Sequence, residues 1–172
     1  LPSFYQRGYG AVLSTTIDKY VYVMINRVRP ILRSGVDDPG RFRIRLSYAS
    51  TENVQHPDEL SHPIVRETLK FLDLDTPMDI ATMADVPAGN GLGSSGAFTV
   101  ALLHALHLIK GDEVGPEQLA SEAAQIEIDI LGRPVGKQDH YAAAYGGLNL
   151  IQFYAGEQVD VRPVGSTALA QQ

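Results

Sequence analysis

The stretch VPAGNGLGSSGAF, residues 86–98, holds four glycines and two adjacent serines within thirteen residues. It lies between an apolar segment with β-strand character, residues 78–86, and an apolar segment with helical character, residues 95–110. A strand, a glycine-rich loop and a helix in this order direct backbone N–H groups and a helix N-terminus toward an anion. The stretch therefore predicts a phosphate-binding loop, with a serine-capped glycine turn that binds nothing as the open alternative.

Three other glycine motifs do not match this stretch. A Walker A loop requires a lysine before its final Ser or Thr, and no lysine precedes Ser94. A Rossmann fingerprint belongs to a βαβ unit with an acidic residue about 20 residues further on, whereas the preceding segments indicate antiparallel strands. The nucleophile elbow G-x-S-x-G is excluded because the order Gly93-Ser94-Ser95-Gly96 has a different spacing.

The composition of the 172-residue chain excludes several classes of function. A net charge of -6 argues against general binding to nucleic acid or to an anionic membrane, although a local phosphate site remains compatible with it. The chain has no cysteine, which excludes disulfides and thiolate metal sites. No apolar run approaches the roughly 18 residues of a membrane span. We therefore expect a cytoplasmic protein with neither a nucleic-acid nor a membrane partner.

The residue periodicity predicts an α+β chain. Predicted strands cover residues 10–29, with a turn at Asp18-Lys19, and residues 41–48, 78–86 and 148–154, and residues 34–40 form a turn cluster. Predicted helices cover residues 62–72, with Ser61 as N-cap and Pro63 as first residue, and residues 95–110, 116–131 and 137–145. Strands first, and then helices and strands mixed, favour α+β over a strictly alternating α/β chain.

Residues 87–97, PAGNGLGSSGA, resemble the P-x-x-x-G-L-G-S-S-x-A phosphate loop of the GHMP kinase superfamily, which includes galactokinase, homoserine kinase and mevalonate kinase. The resemblance implies an ATP-dependent kinase that uses Mg²⁺. It implies a two-layer α+β sandwich of a mixed or antiparallel sheet with helices on one face, like the second domain of ribosomal protein S5. The residues it assigns to ATP are Pro87, Gly89, Gly91, Leu92, Gly93, Ser94, Ser95, Gly96 and Ala97, of which Ser94 and Ser95 would also contact Mg²⁺.

A phosphoryl-transfer site also needs carboxylates, because charge neutralisation and positioning of the acceptor hydroxyl supply most of the catalysis. Glu127 lies in the third predicted helix, and Asp139 follows in GKQDHYAAAYGG, residues 136–147. The resemblance assigns Glu127 to Mg²⁺ and Asp139 to the acceptor hydroxyl, as the group that orients or deprotonates it. Glu122 and Asp129 remain alternatives as the metal ligand.

Further segments resemble one branch of the superfamily. The pairs Ser47-Tyr48 and Thr51-Glu52, with HPIVRE at residues 62–67 and PVGKQD at residues 134–139, are similar to D-glycero-D-manno-heptose 7-phosphate kinases. These enzymes phosphorylate the anomeric C1 hydroxyl, so the resemblance implies a sugar or sugar-phosphate substrate. Galactokinase-like and fucokinase-like enzymes share parts of the pattern and stay open as alternatives.

The resemblance also carries an expectation about domain organisation. In these kinases a first strand and a glycine-rich sugar-binding turn precede the segment matched by LPSFY, residues 1–5. We therefore expect residues 1–172 to be most of a GHMP kinase N-terminal, ATP-binding domain, without that first strand and without the C-terminal domain. We expect such a piece to show little or no kinase activity alone.

Two other functional classes remain open: a non-catalytic binding module that retains the glycine loop, and an RNA-binding ribosomal-type domain. The acidic charge disfavours RNA, and the presence of Asp139 with the two serines disfavours a module without turnover. The pair His104 and His107 is predicted to be structural, because spacing supplies no third metal ligand. His140 is predicted to lie on the surface or behind the site, and Lys137 to be either a phosphate contact or a surface residue.

Overall fold

The structure is a computed structural model that describes residues 8–27, 43–86, 89 and 91–165. Its strands are β1 (Gly10–Thr15), β2 (Val21–Arg27), β3 (Ile44–Ser47), β4 (Thr51–Val54), β5 (Met78–Ala84), β6 (Leu148–Phe153) and β7 (Val159–Pro163). Its α-helices are α1 (Pro63–Phe71), α2 (Ser94–Lys110), α3 (Pro116–Ala124) and α4 (Gln138–Tyr145). One 3₁₀ turn covers Pro57–Glu59, and a π-helical turn, Gln125–Ile130, continues α3.

These elements confirm the predicted helices and the predicted strands inside the described ranges. The turn cluster at residues 34–40, the segment at residues 1–5 and Pro87 lie outside the described residues. Strands β4 and β7 were not predicted: TENV has one apolar residue, and the alternation in VDVRP is only four residues long before it ends at a proline. The third predicted helix changes from α to π geometry before it ends at Ile130. Within the described ranges no helix has the length and apolarity needed to cross a membrane.

The strands form two sheets. The larger sheet has the order β2-β5-β3-β4, with β3 parallel to β5 and the other neighbours antiparallel. The smaller sheet has the antiparallel order β1-β6-β7. This mixed arrangement confirms the predicted α+β class. The consecutive strands β1 and β2 therefore belong to different sheets, although both line one cleft.

The main core lies between the larger sheet and helices α1 and α2. Strand β3 shows the predicted alternation, because Ile44 and Leu46 are fully buried whereas Arg45 is exposed. Across from them, Leu69 of α1 and Leu103 of α2 are also fully buried in the same cluster. Each such side chain contributes roughly 1.5–3 kcal/mol of burial free energy. This core holds α2 in place, and with it the loop that precedes α2.

A smaller cluster fixes α4 on the three-stranded sheet. Tyr141 of α4 packs edge-to-face on Phe153 of β6, with ring centroids 6.2 Å apart. Ala120 of α3 and Ile151 of β6 complete the buried set. Because α4 packs on both α3 and β6, the first residues of α4 are held at a defined position next to α2.

Helix α1 begins at Pro63 as predicted, but its N-cap is His62 and the prediction of Ser61 is wrong. His62 Nδ1 accepts a hydrogen bond from the backbone N–H of Val65 at 3.4 Å. The backbone N–H groups of Ser61 and His62 donate to the Glu52 carboxylate at 2.6 and 3.2 Å. This contact from β4 holds Ser61 outside the helix, and local sequence cannot show it.

Candidate active site

The glycine loop leads into α2 through left-handed backbone. Gly89, Gly91 and Gly93 have φ values of 81°, 77° and 70°, in the region that favours glycine. Gly93 is the N-cap of α2, and no side chain caps the helix there. Neither Ser94 nor Ser95 therefore acts as the cap, and the first turn of α2 has the uncapped N–H groups that suit an anion.

Asp139 lies directly against this loop. A Cβ atom added to Gly93 would lie 3.3 Å from both Cβ and Cγ of Asp139. A Cβ atom added to Gly96 would lie 3.2 Å from Cβ of Asp139 and 3.3 Å from the backbone nitrogen of His140. A side chain at either position would therefore push the start of α4 away from the start of α2 by a few tenths of an ångström. The structure brings together the two motifs that the sequence separates.

Glu127 is fully buried on the π-helical turn and accepts hydrogen bonds through both oxygens. Its Oε1 accepts from Thr99 Oγ1 at 2.6 Å and from His140 Nε2 at 3.2 Å. Its Oε2 accepts from the hydroxyl of Ser95, and from Arg133 Nη1 at 3.0 Å. Four donors thus converge on one carboxylate, and π-helical turns occur frequently at functional sites.

The charge of Glu127 is stabilised despite its burial. Burial alone would raise the pKa of Glu127, because it removes water from the charged form. Hydrogen bonds from His140, Ser95 and Thr99, together with attraction to the His140 ring, outweigh burial and lower the pKa of Glu127 to about 2. The site therefore holds an ionised carboxylate at neutral pH, next to a serine at the first turn of α2.

Arg133 reaches this carboxylate because the chain reverses after the π-helical turn. Gly132 has a φ of 64°, and the backbone N–H of Arg133 donates to the carbonyl oxygen of Glu127 at 2.9 Å. The guanidinium Nη1 lies 3.0 Å from Ser95 Oγ and also 3.0 Å from Glu127 Oε2. One cationic nitrogen therefore contacts the serine and the carboxylate at the same time.

The other residues considered as ligands lie elsewhere. Glu122 contacts Nε2 of the buried His107 at 2.7 Å, and Asp129 is exposed. His104 is exposed and lines the cleft, so the two helix histidines do not share a ligand. Lys137 forms an ion pair with Glu157. Within the described ranges, no group of three or more His, Asp or Glu side chains is placed to hold a metal ion.

An open cleft of about 1010 Å³ adjoins the glycine loop. Strands β1 and β2 line one part of it, and helices α2, α3 and α4 line another. Among the predicted loop residues, Leu92, Gly93 and Ala97 face this cleft together with Asp139. Ser94 is half-buried at the first turn of α2, and Pro87 lies outside the described residues. The cleft is large enough for a nucleotide-sized ligand.

Comparison with known proteins identifies the family. Residues 63–147 match the GHMP kinases N terminal domain. The D-glycero-alpha-D-manno-heptose 7-phosphate kinase of Campylobacter jejuni is 30% identical over 159 residues, covering 90% of this chain and 46% of that protein. The chain belongs to the GHMP kinase superfamily. A mevalonate kinase of Methanothermobacter thermautotrophicus is 42% identical to this chain over 131 residues, covering 70% of the chain and 42% of that protein.

Solved structures show the same fold. A D-glycero-D-manno-heptose 1-phosphate kinase from Bacteriodes thetaiotaomicron aligns with a TM-score of 0.78 at 27% identity, covering 95% of this chain and 54% of that one. A mevalonate kinase crystal structure aligns with a TM-score of 0.66 at 17% identity, covering 91% of this chain and 50% of that one. The predicted fold, that of the second domain of ribosomal protein S5, is confirmed. The chain spans about half the length of these proteins.

Sequence reasoning missed two residues of this candidate site, Thr99 and Arg133, and it left open whether His140 lies on the surface or behind the site. Thr99 carried a signal, because it is a polar residue at a fully buried position of an apolar helix. His140 is buried rather than on the surface, and it supports Glu127 from behind. Arg133 carried no local signal, since its contact depends on how the chain turns after Gly132.

Proposed function

We propose that the natural polypeptide containing this chain is an ATP-dependent kinase that phosphorylates a hydroxyl of a sugar or sugar phosphate. The observation that carries the proposal is the packing of Asp139 on Gly93 and Gly96, at the junction of the glycine loop and α2. A carboxylate next to an anion-binding helix terminus is the arrangement that transfer of a phosphoryl group to a hydroxyl requires.

In this proposal the chain's own residues have distinct tasks. The first-turn N–H groups of α2 and the loop from Gly89 to Ala97 bind the phosphates of ATP. The carboxylate of Asp139 accepts the hydroxyl proton of the acceptor and orients the hydroxyl oxygen toward the loop. Proximity to the loop makes the transfer effectively unimolecular.

Ser95 and Glu127 fit a Mg²⁺ ion. A cation is already accommodated between their oxygens, because Arg133 Nη1 lies 3.0 Å from each. Mg²⁺ prefers oxygen ligands, and in nucleotide sites it commonly takes only one or two from the protein and the rest from phosphates and water. Ser94, on the same helical turn, is the second hydroxyl available. When bound, the ion would neutralise the negative charge of the phosphates.

For the acceptor we propose the C1 hydroxyl of a heptose 7-phosphate. The support is the likeness to two proteins named as heptose phosphate kinases, which extends over 90% and 95% of the chain. A mevalonate-type alcohol is the second candidate, because the mevalonate kinase match has the higher identity, 42%, over a shorter region. A binding module without turnover is the third.

A phosphate-transfer assay with the natural polypeptide tests these candidates. The acceptor panel contains heptose 7-phosphates, galactose, fucose, other hexoses and mevalonate, with ATP and Mg²⁺. We expect kcat/KM for a heptose 7-phosphate to exceed that for the other acceptors by about tenfold or more. Faster transfer to mevalonate would replace the proposed acceptor, and ATP binding without transfer to any acceptor would favour the binding module.

The 172-residue chain assayed alone provides a separate comparison. We propose that it shows little or no transfer, because it spans about half the length of the kinases it resembles. Robust turnover by this chain would contradict that proposal without affecting the assignment of the reaction.

Substitution of Gly93 by alanine tests the contact with Asp139. Both Gly93 and Gly111 have positive φ, 70° and 88°, so Gly93→Ala and Gly111→Ala should each cost about 1–2 kcal/mol of stability. Only the alanine at residue 93 would press on Asp139, since a Cβ at Gly111 meets nothing within 4 Å. We expect Gly93→Ala to reduce kcat by roughly 10–100-fold and Gly111→Ala to leave kcat unchanged. Equal kcat values in the two variants would show that the contact does not matter for transfer.

A further inference from the structure

Arg133 is more exposed to solvent than the two buried side chains that contact Glu127. Thr99 and His140 are buried, whereas the Arg133 side chain is 33% exposed and the Glu127 side chain is 1% exposed. Arg133 also contacts Ser95 and Glu127 through a single nitrogen, at 3.0 Å from each oxygen. It therefore approaches the oxygen pair from the solvent side, while Thr99 and His140 hold the carboxylate from within.

We propose that Arg133 is a resident counter-cation that occupies the position between Ser95 Oγ and Glu127 Oε2 until a divalent metal ion replaces it. The inference rests on the proposed function, because it takes these two oxygens as the metal ligands. Arg133 thus keeps the buried carboxylate neutralised while the metal position is free, and it sets the affinity of the position for a metal.

Electrostatics makes the two cations mutually exclusive. A metal ion bound to both oxygens and a guanidinium nitrogen 3 Å from the same oxygens would repel each other at short range. Arg133 can move out because a third of its side chain already faces solvent, where water can hydrate the guanidinium. The backbone hydrogen bond to the Glu127 carbonyl keeps residue 133 in place during this movement.

A purely structural ion pair would behave differently. If Arg133 only braced the π-helical turn, it would stay on Glu127 when a metal binds, and its removal would loosen the metal ligands. Removal would then weaken metal binding. The resident counter-cation predicts the opposite sign, because its removal eliminates a competitor for the same oxygens.

Titration of nucleotide-free protein with Mn²⁺, followed by electron paramagnetic resonance, shows whether removal of Arg133 strengthens or weakens metal binding. We expect Arg133→Met to bind Mn²⁺ about fivefold more tightly than the wild type, the order expected for loss of one ion pair whose cationic partner is partly exposed to solvent. Arg133→Gln removes the charge but keeps a hydrogen-bond donor, so it serves where the methionine variant does not fold. Arg162→Met, which breaks the exposed pair of Arg162 with Asp160 at 2.7 Å, is the matched control and should not change the affinity.

A second measurement uses thermal unfolding with and without Mn²⁺. We expect Arg133→Met and Arg133→Gln to have a lower Tm than the wild type in chelator and to gain more Tm on addition of Mn²⁺. Glu127→Gln is expected to abolish the Mn²⁺ binding seen in the wild type. If it does, and both Arg133 variants bind Mn²⁺ no more tightly than the wild type, then the proposed role of Arg133 is wrong and the metal site stands. Absence of any Mn²⁺ binding that depends on Glu127 would overturn the metal site itself and the inference with it.

Discussion

Replacement of Asp139 by asparagine is expected to lower kcat for phosphoryl transfer by about 10²–10⁴-fold, the range over which general acid–base groups contribute. Asparagine has nearly the same shape, so the contacts of residue 139 with Gly93 and Gly96 should persist. The loss therefore reports the charge and the proton-accepting oxygen rather than packing. ATP affinity should remain close to that of the wild type, because the loop and the first turn of α2 are unchanged.

The measurement is single-turnover transfer from ATP, with nucleotide binding determined separately on the same preparation. Asp129→Asn is the matched control. Asp129 is an exposed carboxylate ten residues earlier, so this substitution makes the same chemical change away from the loop. Undiminished transfer in Asp139→Asn would remove Asp139 from its proposed role. Equal losses in the two variants would indicate a general charge effect instead.

Replacement of Glu127 by glutamine is expected to destabilise the protein by roughly 2–3 kcal/mol at neutral pH. Glutamine presents an amide nitrogen where the carboxylate accepts hydrogen bonds, so two of the four donors lose their acceptor. These donors are paired, Thr99 and His140 on Oε1 and Ser95 and Arg133 on Oε2. Either orientation of the amide therefore leaves one pair without an acceptor. Urea unfolding of the variant and the wild type measures the difference.

The pH dependence of the free energy of unfolding tests whether Glu127 is charged in the folded protein. The pKa of Glu127 falls from an ordinary value of 4.5 in the unfolded chain to about 2 in the folded protein. A lowered carboxyl pKa contributes stability that is complete above about pH 4.5 and is lost as the pH falls toward 2. The wild type should therefore lose stability between pH 5 and pH 3 more steeply than Glu127→Gln. Glu113→Gln, at an exposed carboxylate, should retain the steep dependence of the wild type.

Parallel curves for Glu127→Gln and the wild type in that range would contradict the stabilised charge at Glu127. If Glu127→Gln is fully unfolded at neutral pH, the carboxylate contributes more to the free energy of unfolding than predicted. Addition of Mn²⁺ to the wild type, with no comparable effect on the variant, would connect the stability measurement to metal binding.

The fold was predictable wherever one face of an element is apolar at a regular period. Helix α1 and strand β3 follow from such patterns, helix α2 follows from a segment that is apolar nearly all round, and the glycine loop follows from its own residues. The two-sheet arrangement was not predictable, because the choice of β6 as partner for β1 depends on contacts far apart in sequence. The polar residues of TENV also prevented prediction of strand β4, which pairs with β3 and is partly exposed.

The candidate site divides in the same way. Asp139 and the serines stand in short motifs, so the resemblance to the GHMP kinases could assign them from the sequence. The partners that hold Glu127 come from α2, from α4 and from the turn after Gly132, and no spacing rule joins these elements. Glu52 is a comparable case, since its capping contact with the start of α1 links two elements through a turn of irregular backbone.

The pairing of β1 with β6 has a consequence for the order of folding. Gly10 pairs with Phe153 and Thr15 with Leu148, so nearly the whole described chain must be synthesised before this ladder can form. The main core uses buried residues from Ile44 to Ile126 and can assemble earlier. Contacts so distant in sequence form slowly, because a long loop must close first. During translation the wall of the cleft that β1 supplies is therefore expected to be completed after the main core.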